Sequence, residues 1–185
     1  MRHTGFLLLF LIALLHSRAQ QDIGLAGTKI LKITAADSNA VIRTAVKTQL
    51  NKAFGSKAQK NIKLFIKSTD KQTSLNIARR TAAKLEQNLL QVDLAAWTGK
   101  YLGETEKNLD ILFSKASRNN CILFFDEADA LFGKRGSDAG EDKASAVALL
   151  LDKLSNYKGT VVISCTGKDC RDNIELPLFV QVKAD

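Results

Sequence analysis

Five uninterrupted apolar residues, Cys121 to Phe125, run directly into two acids, Asp126 and Glu127. A short run with no polar position reads as a strand covered on both faces, the habit of a parallel sheet flanked by helices. The rest of the chain keeps to that plan. Strand-like pieces lie over Thr28 to Ile33, Ile62 to Ile66, Leu89 to Leu94 and Thr160 to Thr166, the last clear strand. Helix-like pieces separate them. Asp37 or Ser38 can cap a helix that runs to Phe54 and stops at Gly55. Others cover Ser74 to about Gln87, Glu104 to Arg118 (Leu109, Leu112 and Phe113 at helical spacing) and Lys143 to Tyr157. No proline interrupts them before Pro177. Alternation of this kind predicts right-handed βαβ units, hence an α/β fold: a three-layer αβα sandwich around a parallel sheet.

Ligands on such sheets sit beyond the carboxyl ends of the strands, and the acid pair lies at one of those ends. There Asp126 can hold Mg²⁺, directly or through water, and Glu127 can polarise an attacking water. The metal would offset phosphate charge during an in-line attack. A strand end solvated by acids before a loop is the plainer alternative.

The neighbourhood of the pair carries a resemblance. The segment from Val92 to Arg135, "VDLAAWTGKYLGETEKNLDILFSKASRNNCILFFDEADALFGKR", resembles the AAA+ ATPase core, a P-loop NTPase fold, and "ILFFDEADALFGKR" resembles its Walker B segment. The likeness extends more weakly from about Ile62 to Gly167. It implies a domain that binds ATP and Mg²⁺ in a ring of subunits and uses hydrolysis to remodel other proteins. Tyr101-Leu102-Gly103 matches the pore loop that grips a substrate polypeptide; a tyrosine anchoring the next helix is the alternative. Asp22 to Gly27 is similar to the segment that frames adenine.

The family's GxxxxGK[ST] phosphate loop falls on "KSTDKQTS", Lys67 to Ser74. Lys67 and Gln72 stand where glycines are expected and Thr73 where lysine is expected. Only Ser74 keeps the hydroxyl that would reach Mg²⁺. Glycines let the backbone fold into a nest of N–H groups around phosphates, and Asp70 adds a negative charge where the phosphates should lie. Lys67 and Lys71 are the cations that could compensate. "VVISCTGKD" resembles the sensor 1 strand, with Gly167 at the position of its usual asparagine and Thr166 beside it as a stand-in. Arg171 is the only arginine after it and comes too early for the family's finger, and no lid domain follows.

At its other end the chain has Arg2, an apolar run from Phe6 to Leu15, and small residues at Ser17 and Ala19. Ten apolar residues are too few to span a hydrocarbon layer of about 30 Å as a helix, and the flanks fit a signal peptide over residues 1–19. Its removal would leave 185 − 19 = 166 residues and lower the net charge from +8 to +6. The organisation expected is then a signal at 1–19, a strand and helix at 20–60 leading into the core, and a truncated AAA+-like core at 61–185. Basic residues are spread out and not interleaved with aromatics, so no nucleic-acid surface is indicated. Cys165 and Cys170 are close enough in sequence to bridge in an exported chain, whereas Cys121 reads as a buried thiol.

Two functional readings follow from the resemblance. One is an exported AAA+-like binding or assembly module, with a protein partner, possible self-association and lost or weak hydrolysis. The other is a working ATPase with an atypical phosphate loop, anchored in a membrane by an uncleaved signal.

Overall fold

The computed structural model describes residues 25–55, 61–94, 102–132, 141–168, 170 and 176–184. Six strands form one sheet in the order β1-β3-β4-β5-β2-β6. They are β1 (Thr28–Leu31), β2 (Lys63–Lys67), β3 (Asn88–Asp93), β4 (Cys121–Asp126), β5 (Val161–Cys165) and β6 (Val180–Lys183). The helices are α1 (Thr44–Phe54), α2 (Lys71–Lys84), α3 (Leu102–Arg118), the short α4 (Asp129–Phe132) and α5 (Glu141–Asn156).

Alternation along the strands sorts the core into two halves, as a three-layer sandwich requires. On one face Phe65, Leu90, Leu123, Phe125 and Ile163 pack with Leu109 and Leu112 of α3 and Leu150 and Leu154 of α5. On the other, Leu64, Ile66, Leu89, Phe124 and Val162 pack with Val46, Leu50 and Phe54 of α1 and Ile77 and Ala78 of α2. Residues Ile122 to Phe125 are wholly buried, so the apolar run does face a helix layer on both sides.

Four strand pairings are parallel, as expected; the edge strand β1 departs from them and runs antiparallel to β3. Side-chain period fixes which residues are covered, not the direction of an edge strand. β1 also stops at Leu31 instead of Ile33, because the Asn88 side chain takes the Ile33 N–H at 3.4 Å. The first helix begins at Thr44, past the expected start. Asp37 instead closes a reciprocal cap with Thr34 over a 3₁₀ turn, Ala35–Asn39, accepting from the Thr34 N–H at 2.7 Å. Gly55, at φ +59°, ends α1 as its position suggests.

β6 lies beyond the stretch read as the last strand. Two of its four residues are exposed, which leaves little apolar pattern to read. It pairs with β2 from Leu64↔Val180 to Lys67↔Lys183. The Gln49 side chain of α1 clasps its outer edge, accepting from the Lys183 N–H (3.0 Å) and donating to the Lys183 carbonyl (3.1 Å).

Candidate functional site

The carboxyl ends of β2, β4 and β5 meet on one edge, and two helices start there. At the first, the segment expected to be an eight-residue phosphate loop, Lys67 to Ser74, is a connection of three residues, Ser68, Thr69 and Asp70. α2 begins at Lys71, three residues before the expected start at Ser74. Asp70 is the reason. Its carboxylate caps the helix, accepting from the backbone N–H of Gln72 (3.2 Å) and Thr73 (2.7 Å) and from the Thr73 hydroxyl (2.7 Å). Those bonds, the Thr73 hydroxyl first, hold the Asp70 carboxyl below its ordinary range.

The residues assigned to the phosphate loop are thereby paired elsewhere or buried. Thr73 is bound to Asp70. Ser74 lies a full turn into α2, wholly buried, its hydroxyl oxygen without a hydrogen-bond partner. The buried Lys67 ends β2 with its ammonium 5.4 Å from the Phe65 ring centroid. Lys71 forms an ion pair with Glu127. That bond raises the Lys71 pKa against the opposing effect of burial, and the charges of Glu127, Asp126 and Asp93 add to it.

At the end of β4, Asp126 accepts three hydrogen bonds, from the Ser164 hydroxyl (2.9 Å), the Glu127 N–H (3.0 Å) and the Gln91 amide (3.0 Å). Glu127 sits at φ +53°, in the left-handed region uncommon for a side-chain-bearing residue. Its carboxylate turns to Lys71. One of the two acids, Glu127, is therefore paired from within the chain by an ammonium from the start of α2, while Asp126 is held by neutral donors.

Asp129 is a site residue that sequence reasoning missed. It opens α4 and grips the end of β5, accepting from the Thr166 N–H at 2.9 Å and the Gly167 N–H at 2.7 Å. A Cβ on residue 167 would stand 2.5 Å from the Asp129 carboxylate. The asparagine usual in the resembling family cannot enter without displacing that clamp. Thr166, expected as its stand-in, is likewise engaged with Asp129, its hydroxyl 3.4 Å away. No short-range signal links positions 37 residues apart, so only the acid-rich turn after β4 could have hinted at it. Cys165 and Cys170 are joined as a disulfide, their Cα atoms 5.9 Å apart. Cys121 is a free buried thiol whose pKa burial pushes up to about 11.

At the start of β1, Gly27 stands at φ +69° and its carbonyl accepts from the Asp93 N–H at 2.8 Å. Tyr101, Arg171 and residues 1–24 lie outside the described residues, as does the side chain of Leu102, the first residue of α3.

Mg²⁺ and a nucleoside triphosphate need free N–H donors at the helix start, a free lysine and an accessible hydroxyl. The junction as folded offers paired N–H groups at Gln72 and Thr73, a paired Lys71 and a buried Ser74 hydroxyl. These residues do not fit that group.

Comparison with known proteins identifies the lineage. The family model described as "ATPase family associated with various cellular activities (AAA)" matches residues 76–182, that is 107 of 185. The match begins two residues after Ser74. The ATPase family gene 2 protein of Schizosaccharomyces pombe is 38% identical over 96 residues, 50% of this chain and 12% of that protein. The human ATPase family gene 2 protein homolog B is 38% identical over 97 residues, 50% of this chain and 13% of that one. Cell division protein C of Sulfolobus acidocaldarius is 36% identical over 107 residues, 51% of this chain and 28% of that one. The chain thus spans between about an eighth and rather more than a quarter of the length of these relatives.

Proposed function

The chain belongs to the AAA family, and we propose that within it this is a pseudo-ATPase, a degenerate phosphate loop having left the domain as a non-catalytic binding or assembly module. The observation that carries this reading is an exchange of charges at the sheet edge. Asp70 holds the helix N–H groups that a phosphate would use. Lys71 gives Glu127 part of the positive charge that Mg²⁺ would bring. A ligand would have to displace both, and each is already satisfied. Relatives are named as ATPases and as a proteasome regulatory subunit; family members commonly oligomerise and bind protein substrates. A protein partner, with self-association as one form of it, is the class of ligand proposed here.

The N-terminal segment supports export through a signal peptide over residues 1–19, leaving the 20–60 lead-in and the core. Among the described residues no helix is long and apolar enough to cross a membrane. Mass spectrometry of the mature N-terminus tests this. Cleavage after Ala19 is the expected result, and an intact Met1 would favour the anchored alternative.

The test of the main reading is thermal denaturation with and without Mg·ATP. A true site at 100 times its Kd adds about 2.7 kcal/mol, so absence of a saturable shift is the expected outcome. A clear stabilisation that disappears in Asp126→Ala would overturn it.

A working ATPase is the second reading. It is favoured by the left-handed Glu127, since strain of roughly 1–3 kcal/mol is usually retained where it serves a function. It requires ATP turnover that Glu127→Gln abolishes; no turnover at any protein concentration removes it.

A further inference from the structure

We propose that a second ligand site lies between α1 and α2, at the end of α2 away from the acid edge, and that it takes a small organic anion with an apolar body. A cavity of about 270 Å³ opens there. Its floor is Leu50, Phe54 and Thr81, all buried, and its rim carries Lys47, Arg80 and Lys84. The remaining lining residues are Ser38 and Asn51, so among the described residues no carboxylate lines the cavity.

Among the described residues none of the three cations is paired with an acid. Arg80 donates to the Ala40 carbonyl at 3.3 Å. Lys84 approaches the Asn51 side-chain oxygen at 3.5 Å and stands 4.2 Å from the Phe54 ring centroid. Glu86, two residues past Lys84, is not among the lining residues, and Asp37 pairs with Arg79 at 3.7 Å. Lysine at a helix carboxyl end has an ordinary explanation, because it complements the helix dipole. That accounts for Lys84 in the last turn of α2 but not for Lys47 or Arg80, which lie within the helix bodies.

Like charges gathered around one opening repel each other, and an anion there relieves all three together. The floor narrows the class. A bare inorganic anion would shed water against Leu50 and Phe54 and gain nothing from them. A carboxylate carrying a short aliphatic or aromatic body would cover that floor while its head stays among the cations. At about 270 Å³ the cavity has room for a small ligand. α2 has 14 residues, so Lys84 lies about 20 Å along the helix from the Lys71–Glu127 pair. The site stands or falls independently of the nucleotide reading.

The test titrates the full chain with octanoate, following melting temperature and heat of binding, beside octanamide as an uncharged twin and sulfate as an anion without a tail. Octanoate should bind saturably and raise the melting temperature, with the other two inert. Arg80→Met and Lys84→Met should each weaken it by roughly tenfold, the worth of one charged contact. Lys47→Met, at an exposed position, serves as a further variant should Arg80→Met lose its far-ultraviolet circular dichroism. No saturation by about 1 mM, equal binding of octanamide or sulfate, or undiminished binding in folded variants would each overturn the proposal.

Discussion

The ends of β2 and β4 lie on the same edge of one sheet, and their strand bodies are equally buried: Leu64 to Ile66 and Ile122 to Phe125 are all 0% exposed. The residues just beyond them differ. After β4 come two acids; after β2 come a three-residue connection without glycine and the start of a helix at Lys71. Burial holds both strands alike, and the two ends differ in the residues that follow them. The acids have partners inside the chain: Asp126 secures Ser164 and Gln91, and Glu127 secures Lys71. Internal partners give the acid pair a structural part that does not depend on catalysis.

Substitutions at this edge can break the comparison or sharpen it. The largest effect belongs to the shared strand burial. Phe125→Ala should cost about 3–5 kcal/mol, measured by denaturant unfolding, and a loss below 1 kcal/mol would deny that the strand is held by its core. Asp126→Ala should follow at about 1–3 kcal/mol, by stranding the three donors that point at it. A neutral result would return the acid to a purely ligand-directed role. Gly167→Asn, which restores the family residue, should lower stability by about 1–3 kcal/mol through its clash with Asp129. If it were stabilising, the Asp129 clamp would be wrong.

Asp70→Ala removes a cap and should lower the melting temperature by roughly 2–4 °C at pH 7. The folded carboxyl titrates below its ordinary 3.8. Its contribution is therefore complete above that pH and fades as pH falls through the folded value. Parent and variant should melt alike in stronger acid. Smallest of all is Lys71→Met. The pair is half exposed, with Lys71 at 57% and Glu127 at 34%, so after solvent screening it is worth less than about 1 kcal/mol. Because the Lys71 pKa is raised above 10.5, that small difference should persist below pH 10.5 and vanish as pH climbs through the folded value. Added salt should shrink it.

What could be read beforehand follows the same division. The β4 run, the periodic face of α3 and the stop at Gly55 announce themselves in adjacent residues, and each was found where expected. The start of α2 departs from the loop pattern expected over Lys67 to Ser74 because Asp70, two and three residues before the N–H groups it holds, is an ordinary helix cap. The direction of β1, the existence of β6 and the grip of Asp129 on Thr166 and Gly167 depend on contacts far apart in the chain. Local pattern carries none of these.

The pairing of β2 with β6 has a consequence for how the molecule is made. Leu64 and Val180 are 180 − 64 = 116 positions apart, a distant contact of the kind that slows folding. Until β6 arrives, β2 is an apolar strand with one backbone margin open, the sort of surface on which nascent chains stick to one another. The Gln49 clasp on Lys183 then acts as a latch on the closing step. Aggregation during refolding, more than the melting temperature of the finished protein, is where loss of that latch would first be felt.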